Sequence, residues 1–204
     1  MKIIAITTPE ADENDVFLIR ELLRCGISGI HFRKPDCDIS YCRNVLQELT
    51  ESERARIIIH DYPDLYEEFA LKGIHVNRNI TSLPEHYTGF RTRSCHSLQE
   101  VIRHKDEFDY VFLSPVFDSI SKAGYKAGFT REELEKASIE GIIDEKVVAL
   151  GGVTLGDISY LKRLNFGGVA MIGGIYCTDA LKNLSKKTFA DYEKEIQQGA
   201  YHRR

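Results

Sequence analysis

The sequence predicts an α/β fold, a single (β/α)8 TIM barrel spanning residues 1–204. Eight short runs rich in β-branched residues recur along the chain, and a helix or a helix-length connection follows each. That alternation implies a parallel sheet covered by helices, and eight repeats of the unit close most economically into a barrel. The open doubly wound sheet is the alternative, but no Gly-rich phosphate fingerprint follows "KIIAIT".

The first strand is read from Lys2 to Thr7, and Val16, Ile19, Leu22 and Leu23 then recur at helical spacing. "GIHFR", Gly29 to Arg33, is the second strand, followed by a helix from Ser40 to Leu49. "RIIIH", Arg56 to His60, is the third, and Pro63 stands where proline is welcome, at a helix start. "GIHV", Gly73 to Val76, is the fourth strand and leads into a short connection through Pro84. "FRTRS", Phe90 to Ser94, is the fifth; Ser97 and Glu100 behind it have capping-box spacing. "YVFL", Tyr110 to Leu113, is the sixth, followed by a long loop and a second capping-box match at Thr130 and Glu133. "KVVAL", Lys146 to Leu150, precedes a third such match at Thr154 and Asp157, with Ile158, Leu161 and Leu164 as the apolar helix face. "GVAMI", Gly168 to Ile172, is the eighth strand, and a charged amphipathic helix with a tail closes the chain from about residue 178.

Composition narrows the class of function. With 43% hydrophobic and 28% charged residues, a net charge of −4 and a pI near 6.0, the chain is an ordinary globular protein without a basic stripe for nucleic acid. No apolar run approaches membrane-spanning length, and "MKIIAITT" is too short for a signal-peptide core, so a cytoplasmic protein is expected. Cys25, Cys37, Cys42, Cys95 and Cys177 are odd in number and scattered, which suits reduced structural thiols; Cys37 and Cys42 lack the second pair of a zinc site. The partners expected are small phosphorylated molecules, with a homo-oligomer left open.

In a barrel of this kind the chemistry lies at the carboxyl ends of the strands. Those ends carry His31 and Arg33, His60 and Asp61, His75 and Asn77, Ser94 and His96, then Ser114, Gly151 with Gly152, and Gly173 with Gly174. His31 and Arg33 are two residues apart and are expected to face the barrel mouth together. Each glycine pair follows one of the last two strands, where barrels often bind phosphate through backbone N–H groups and a helix N-terminus. Tight strand-to-helix turns alone would also call for them. The loop after the sixth strand holds Ser119, Ser121 and Lys122 among glycines, a composition suited to a lid that grips an oxyanion, or to an ordinary solvated loop. Four histidines, His31, His60, His75 and His96, fall near successive strand ends; no sequence spacing enforces a metal site among them, and hydrogen-bonding or acid–base roles are the commoner use.

The ordered segments "GIHFRK", "IIHDYPDL", "GIHV", "RSCHSLQE", "DYVFLSPVFDSISK", "VVALGGVT" and "GGVAMIGGI" carry a resemblance. Through about Tyr176 the chain resembles the thiamine phosphate synthase / thiazole tautomerase (TenI-like) family. The resemblance implies a (β/α)8 barrel that binds thiazole phosphate at the two glycine pairs. In the synthase branch a pyrimidine pyrophosphate loses pyrophosphate and the thiazole nitrogen takes its place. It implies Arg33, Ser119, Ser121 and Lys122 as the pyrophosphate grip, Asp61 as a carboxylate for Mg²⁺, and Ser94 as a pocket serine.

This chain departs from the synthase pattern at His31, where that pattern has Gln, and at His60, where it has Asn. Asn79 or Ile80 stands where a second Mg²⁺ carboxylate would fall. The tautomerase branch, which aromatises thiazole phosphate by proton transfer, is the alternative, with His31 or His60 as the proton carrier; its usual catalytic histidine position is Pro115 here. A non-catalytic thiazole-phosphate binder is the third reading.

Overall fold

The computed structural model describes residues 1–78, 80, 82–118 and 128–172. Within them eight strands run in chain order: β1 (Lys2–Ile6), β2 (Gly29–Phe32), β3 (Ile57–Ile59), β4 (Gly73–Val76), β5 (Phe90–Cys95), β6 (Tyr110–Leu113), β7 (Val147–Ala149) and β8 (Gly168–Met171). Each pairs in parallel with the next, and Lys2 to Ala5 of β1 pair with Gly168 to Met171 of β8. The sheet is therefore a closed barrel, as the eightfold repeat predicts. Closure also leaves no strand edge to pair with another chain.

Seven α-helices are described around it: α1 (Asp15–Arg24), α2 (Ile39–Glu48), α3 (Glu51–Arg54), α4 (Leu65–Glu68), α5 (Leu98–His104), α6 (Arg131–Ile139) and α7 (Ile158–Arg163). The helix starts follow local chemistry. Thr130 and Glu133 make a complete capping box before α6, each side chain accepting the other residue's backbone N–H. At α5 only half of the expected box forms. Ser97 accepts the Glu100 N–H, but the Glu100 carboxylate accepts the N–H of His96 instead of Ser97. At Thr154 the Asp157 carboxylate accepts both the backbone N–H and the hydroxyl of Thr154, and the turn it holds is 3₁₀ before α7 begins. The short α3 was not read from sequence, although Thr50 and Glu53 give it a full capping box. The closing helix expected from about residue 178 lies outside the described residues.

Period-2 alternation divides the apolar residues into two cores. Ile3, Ala5, Ile30, Phe32, Ile57, Ile59, Ile74, Val111, Leu113 and Val169 face the helices. Ile4, Ile6, Ile58, Tyr110, Phe112, Val148 and Ala170 fill the barrel interior. The interior set comes from β1, β3, β6, β7 and β8 only. The inward positions of β2, β4 and β5 are polar: His31, His75 and Thr92, all buried. Three of the eight strands thus line the interior with groups that must find hydrogen-bond partners inside.

No helix among the described residues is long and apolar enough to cross a membrane. Cys25, Cys37, Cys42 and Cys95 form no disulfide among the described residues, and burial pushes the Cys42 thiol up to about 12 and the Cys95 thiol up to about 11, so both stay protonated and inert. Cys177 lies outside the described residues.

Candidate active site

A cleft of about 840 Å³ opens at the carboxyl ends of the strands. Its size is that of a small-molecule site. Arg33 follows β2, His60 and Asp61 follow β3, Asn77 and Arg78 follow β4, Ser94 and His96 come from the end of β5, and all of them line it. Arg93 and Glu100 add further charges to the wall, while Ile6, Phe112, Leu150 and Ile172 form an apolar part of the lining. Three arginines against two carboxylates leave the cleft cationic in balance, a setting that favours anions.

Asp61 is held from behind. Its Oδ2 accepts the backbone N–H of Lys34 at 3.0 Å. Lys34 itself turns away from the cleft and is buried, with Nζ 2.5 Å from Asp15 Oδ2 and 2.6 Å from the carbonyl oxygen of Glu10. Tyr41 donates its hydroxyl to the same Asp15 oxygen at 2.6 Å. The β2 and β3 ends are thereby tied to α1 and α2 through one internal ion pair. Asn77 ties in the next strand end: its amide donates to the His60 carbonyl and its Oδ1 accepts the Ile80 N–H.

At the floor of the cleft three imidazoles meet, His60 and His75 on its lining and His31 below them. His31 Nδ1 lies 2.7 Å from His60 Nε2, and His31 Nε2 lies 2.5 Å from the Tyr110 hydroxyl. The His60 and His75 rings stack 4.0 Å apart at 12°. His75 Nδ1 is 2.8 Å from Thr92 Oγ1, and His75 Nε2 is 3.1 Å from Ser94 Oγ. Burial lowers the pKa of all three, and mutual repulsion and nearby arginines add to it. His75 is brought down to about 3, with Arg33 and Arg93 contributing after burial; His31 and His60 fall well below the usual histidine range. All three are neutral at physiological pH. Burial likewise raises the Tyr110 phenol far above its ordinary value.

A family model described as thiamine monophosphate synthase matches residues 3–175. The chain belongs to the thiamine monophosphate synthase family. A solved thiamine phosphate pyrophosphorylase from Bacteroides thetaiotaomicron is 35% identical, with a TM-score of 0.77, over 91% of this chain and 98% of that one. The thiamine-phosphate synthase of Mannheimia succiniciproducens is 26% identical over 81% of this chain and 82% of its own length. Thiamine-phosphate synthase 1 of Streptococcus pneumoniae is 27% identical over 88% and 90%. A Pyrococcus furiosus thiamine phosphate pyrophosphorylase shares the fold, with a TM-score of 0.72 at 20% identity. Membership places the chain among proteins of thiamine biosynthesis.

In this family member the sequence-based site residues divide into three groups. Arg33, His60, Asp61 and Ser94 line one cleft, as expected of strand-end residues. His31 does not. Its side chain is fully buried below the cleft, because Ile30 and Phe32 on either side both face the helices and alternation sends the residue between them into the barrel. Arg33 lies past the end of β2 and reaches the opening instead.

Gly151 and Gly152 form the second group. Both have positive φ, +91° and +64°, and a Cβ on Gly152 would stand 2.2 Å from the Asp118 carbonyl oxygen, one on Gly151 2.7 Å from Pro115 Cα. Backbone packing of the β6 and β7 loops therefore already requires both glycines. Ser119, Ser121, Lys122, Gly173 and Gly174 form the third group and lie outside the described residues, as does Asn79.

Ile80, at the expected place of a second carboxylate, is a buried apolar residue. Sequence reasoning missed Arg78, Arg93, Lys34 and Tyr110. The arginines had a signal, two more cations at the β4 and β5 ends; Lys34 and Tyr110 had none, since their partners are distant in the chain.

Proposed function

We propose that the protein is a thiamine phosphate synthase, joining a pyrimidine pyrophosphate to thiazole phosphate with release of pyrophosphate. The observation that carries this reading is the cationic cleft that Arg33, Arg78 and Arg93 line together with the Asp61 carboxylate. The bond between the pyrimidine methylene carbon and the pyrophosphate oxygen breaks, and both electrons leave with the pyrophosphate. The thiazole nitrogen then donates its lone pair to that carbon. Fixed cations aimed at the departing anion lower such a barrier more than proton transfer does.

Arg33 and Arg93 hold pyrophosphate oxygens, with Ser119, Ser121 and Lys122 completing the grip. The thiazole phosphate binds at the two glycine pairs, Gly151 with Gly152 and Gly173 with Gly174. Asp61 would hold Mg²⁺. One protein carboxylate suits that ion where substrate phosphates and waters complete its shell, and Asp61 is oriented by the Lys34 N–H. Mg²⁺ bound there would offset charge on the leaving group. A second reading, tautomerisation of thiazole phosphate, draws on His60, a neutral imidazole on the cleft lining that would act as the proton carrier.

One experiment separates the readings. Purified protein, pyrimidine pyrophosphate, thiazole phosphate and Mg²⁺ are combined and thiamine phosphate is followed by oxidation to its fluorescent thiochrome. The expected result is product formation that falls at least about 100-fold in Arg33→Ala, consistent with loss of a charge-stabilising group. No product from the wild-type chain, with rapid aromatisation of the thiazole tautomer, overturns the synthase in favour of the tautomerase. Neither reaction, with thiazole phosphate still bound, makes the protein a binder.

A further inference from the structure

We propose that His31, His60 and His75 form a binding site for a zinc-class divalent transition metal, at the floor of the cleft and separate from the Asp61 carboxylate. Their three donor nitrogens lie within 4.8 Å of one another. Tetrahedral bonds of about 2.0–2.1 Å place ligand nitrogens roughly 3.3 Å apart. The span from the 2.7 Å contact of His31 and His60 to that outer limit brackets this value, so small ring rotations bring the three onto one ion.

Supporting contacts are already in place. A ligating histidine ordinarily uses its other nitrogen to bond a hydroxyl, carbonyl or carboxylate, which fixes the ring. His31 Nε2 has the Tyr110 hydroxyl, leaving Nδ1 for the metal. His75 Nδ1 has the Thr92 hydroxyl, leaving Nε2, now bonded to Ser94. His60 presents Nε2. Neutral imidazoles bind a metal without losing a proton. If His60 carries its proton on Nε2 in the metal-free chain, only its tautomer has to change, the proton passing to Nδ1.

An entry path exists because His60 and His75 line the cleft while His31 lies below them. The fourth position of the ion then faces the cleft, the arrangement of zinc sites that bind an exchangeable water or substrate atom. Arg33 and Arg93 oppose a dication by their charge, and the Asp61 carboxylate beside His60 partly offsets them. Imidazole donors favour zinc, cobalt, nickel or copper over magnesium, so this site and Asp61 are chemically distinct.

The test uses the full chain stripped with a chelator and titrated with Zn²⁺ or Co²⁺ alone. The expected result is one equivalent bound per chain, with Co²⁺ giving the intense visible absorption of a four-coordinate site and no thiolate charge-transfer band. His60→Asn, which keeps an amide beside His31, is expected to weaken binding by more than about 100-fold, and Thr92→Val by about tenfold as an outer-shell loss. His86→Ala, at an exposed position, leaves it unchanged. No binding to the wild-type chain, undiminished binding in His60→Asn, or a thiolate band in the wild-type Co²⁺ spectrum overturns the site. The spectrum is read on wild-type protein, so the outcome survives a variant that fails to fold. Thiamine phosphate formation plays no part in the measurement, so the site stands or falls independently of the synthase reading.

Discussion

Replacing Asp15 with Asn should be among the most destabilising single changes outside the apolar core. The Asp15 and Lys34 side chains are 3% and 0% exposed, and their charges are 2.5 Å apart. Asn keeps the shape but removes the negative charge, leaving a buried ammonium with only neutral oxygens to face, the Asn amide and the Glu10 carbonyl. Breaking a buried pair on one side costs about 3–5 kcal/mol, because the surviving charge stays desolvated. That is a large share of the roughly 5–15 kcal/mol by which a domain is stable. In urea, with an m-value near 2 kcal/mol/M, the midpoint should fall by about 1.5–2.5 M. The melting temperature should fall by roughly 6–20 °C, at about 2–4 °C per kcal/mol for a chain of this size. Both are read by circular dichroism. The double variant Lys34→Met with Asp15→Leu should recover most of the loss, since replacing both charges with apolar groups is often neutral; Tyr41 keeps its bond to the Asp12 carbonyl. A loss below about 1 kcal/mol in Asp15→Asn would refute the reasoning, by showing that the Lys34 ammonium reaches water.

Two further outcomes are expected. In chelator, the metal-free protein should lose stability as pH falls below about 6.5: the unfolded chain then protonates histidines that the fold keeps neutral, so it binds more protons and unfolding is favoured. At pH 5 His75, held near 3, alone costs about 2 kcal/mol, and His31 and His60 add to it in the same direction; urea midpoints that stay level from pH 7 to 5 would contradict the buried neutral cluster. Gly152→Ala should cost more than about 1 kcal/mol, since φ is +64° and the new Cβ would meet the Asp118 carbonyl; urea melts equal to wild type would contradict the close packing of the β6 and β7 loops.

The strand ends were legible because alternating β-branched runs and capping signals depend only on neighbours along the chain. The rule that barrel chemistry gathers at the carboxyl ends of the strands sufficed to place Arg33, His60, Asp61 and Ser94 at one opening. It did not say how deep each residue sits. His31 shows why: its depth depends on the stagger of β2 against β3, which barrel closure sets. The missed α3 had a local signal, the Thr50 box, but four residues are too few to show helical periodicity.

By itself the sequence determined the eightfold alternation, the family and the residues that reach the barrel's carboxyl end, because each follows from local pattern. Only the tertiary structure decided that His31, His60 and His75 converge, that Lys34 turns inward to Asp15, and that Gly151 and Gly152 are required by backbone contact. Those pairings join residues from different strands and helices. Their geometry exists only once the sheet closes on itself and the long-range partners are brought into the same low-dielectric interior.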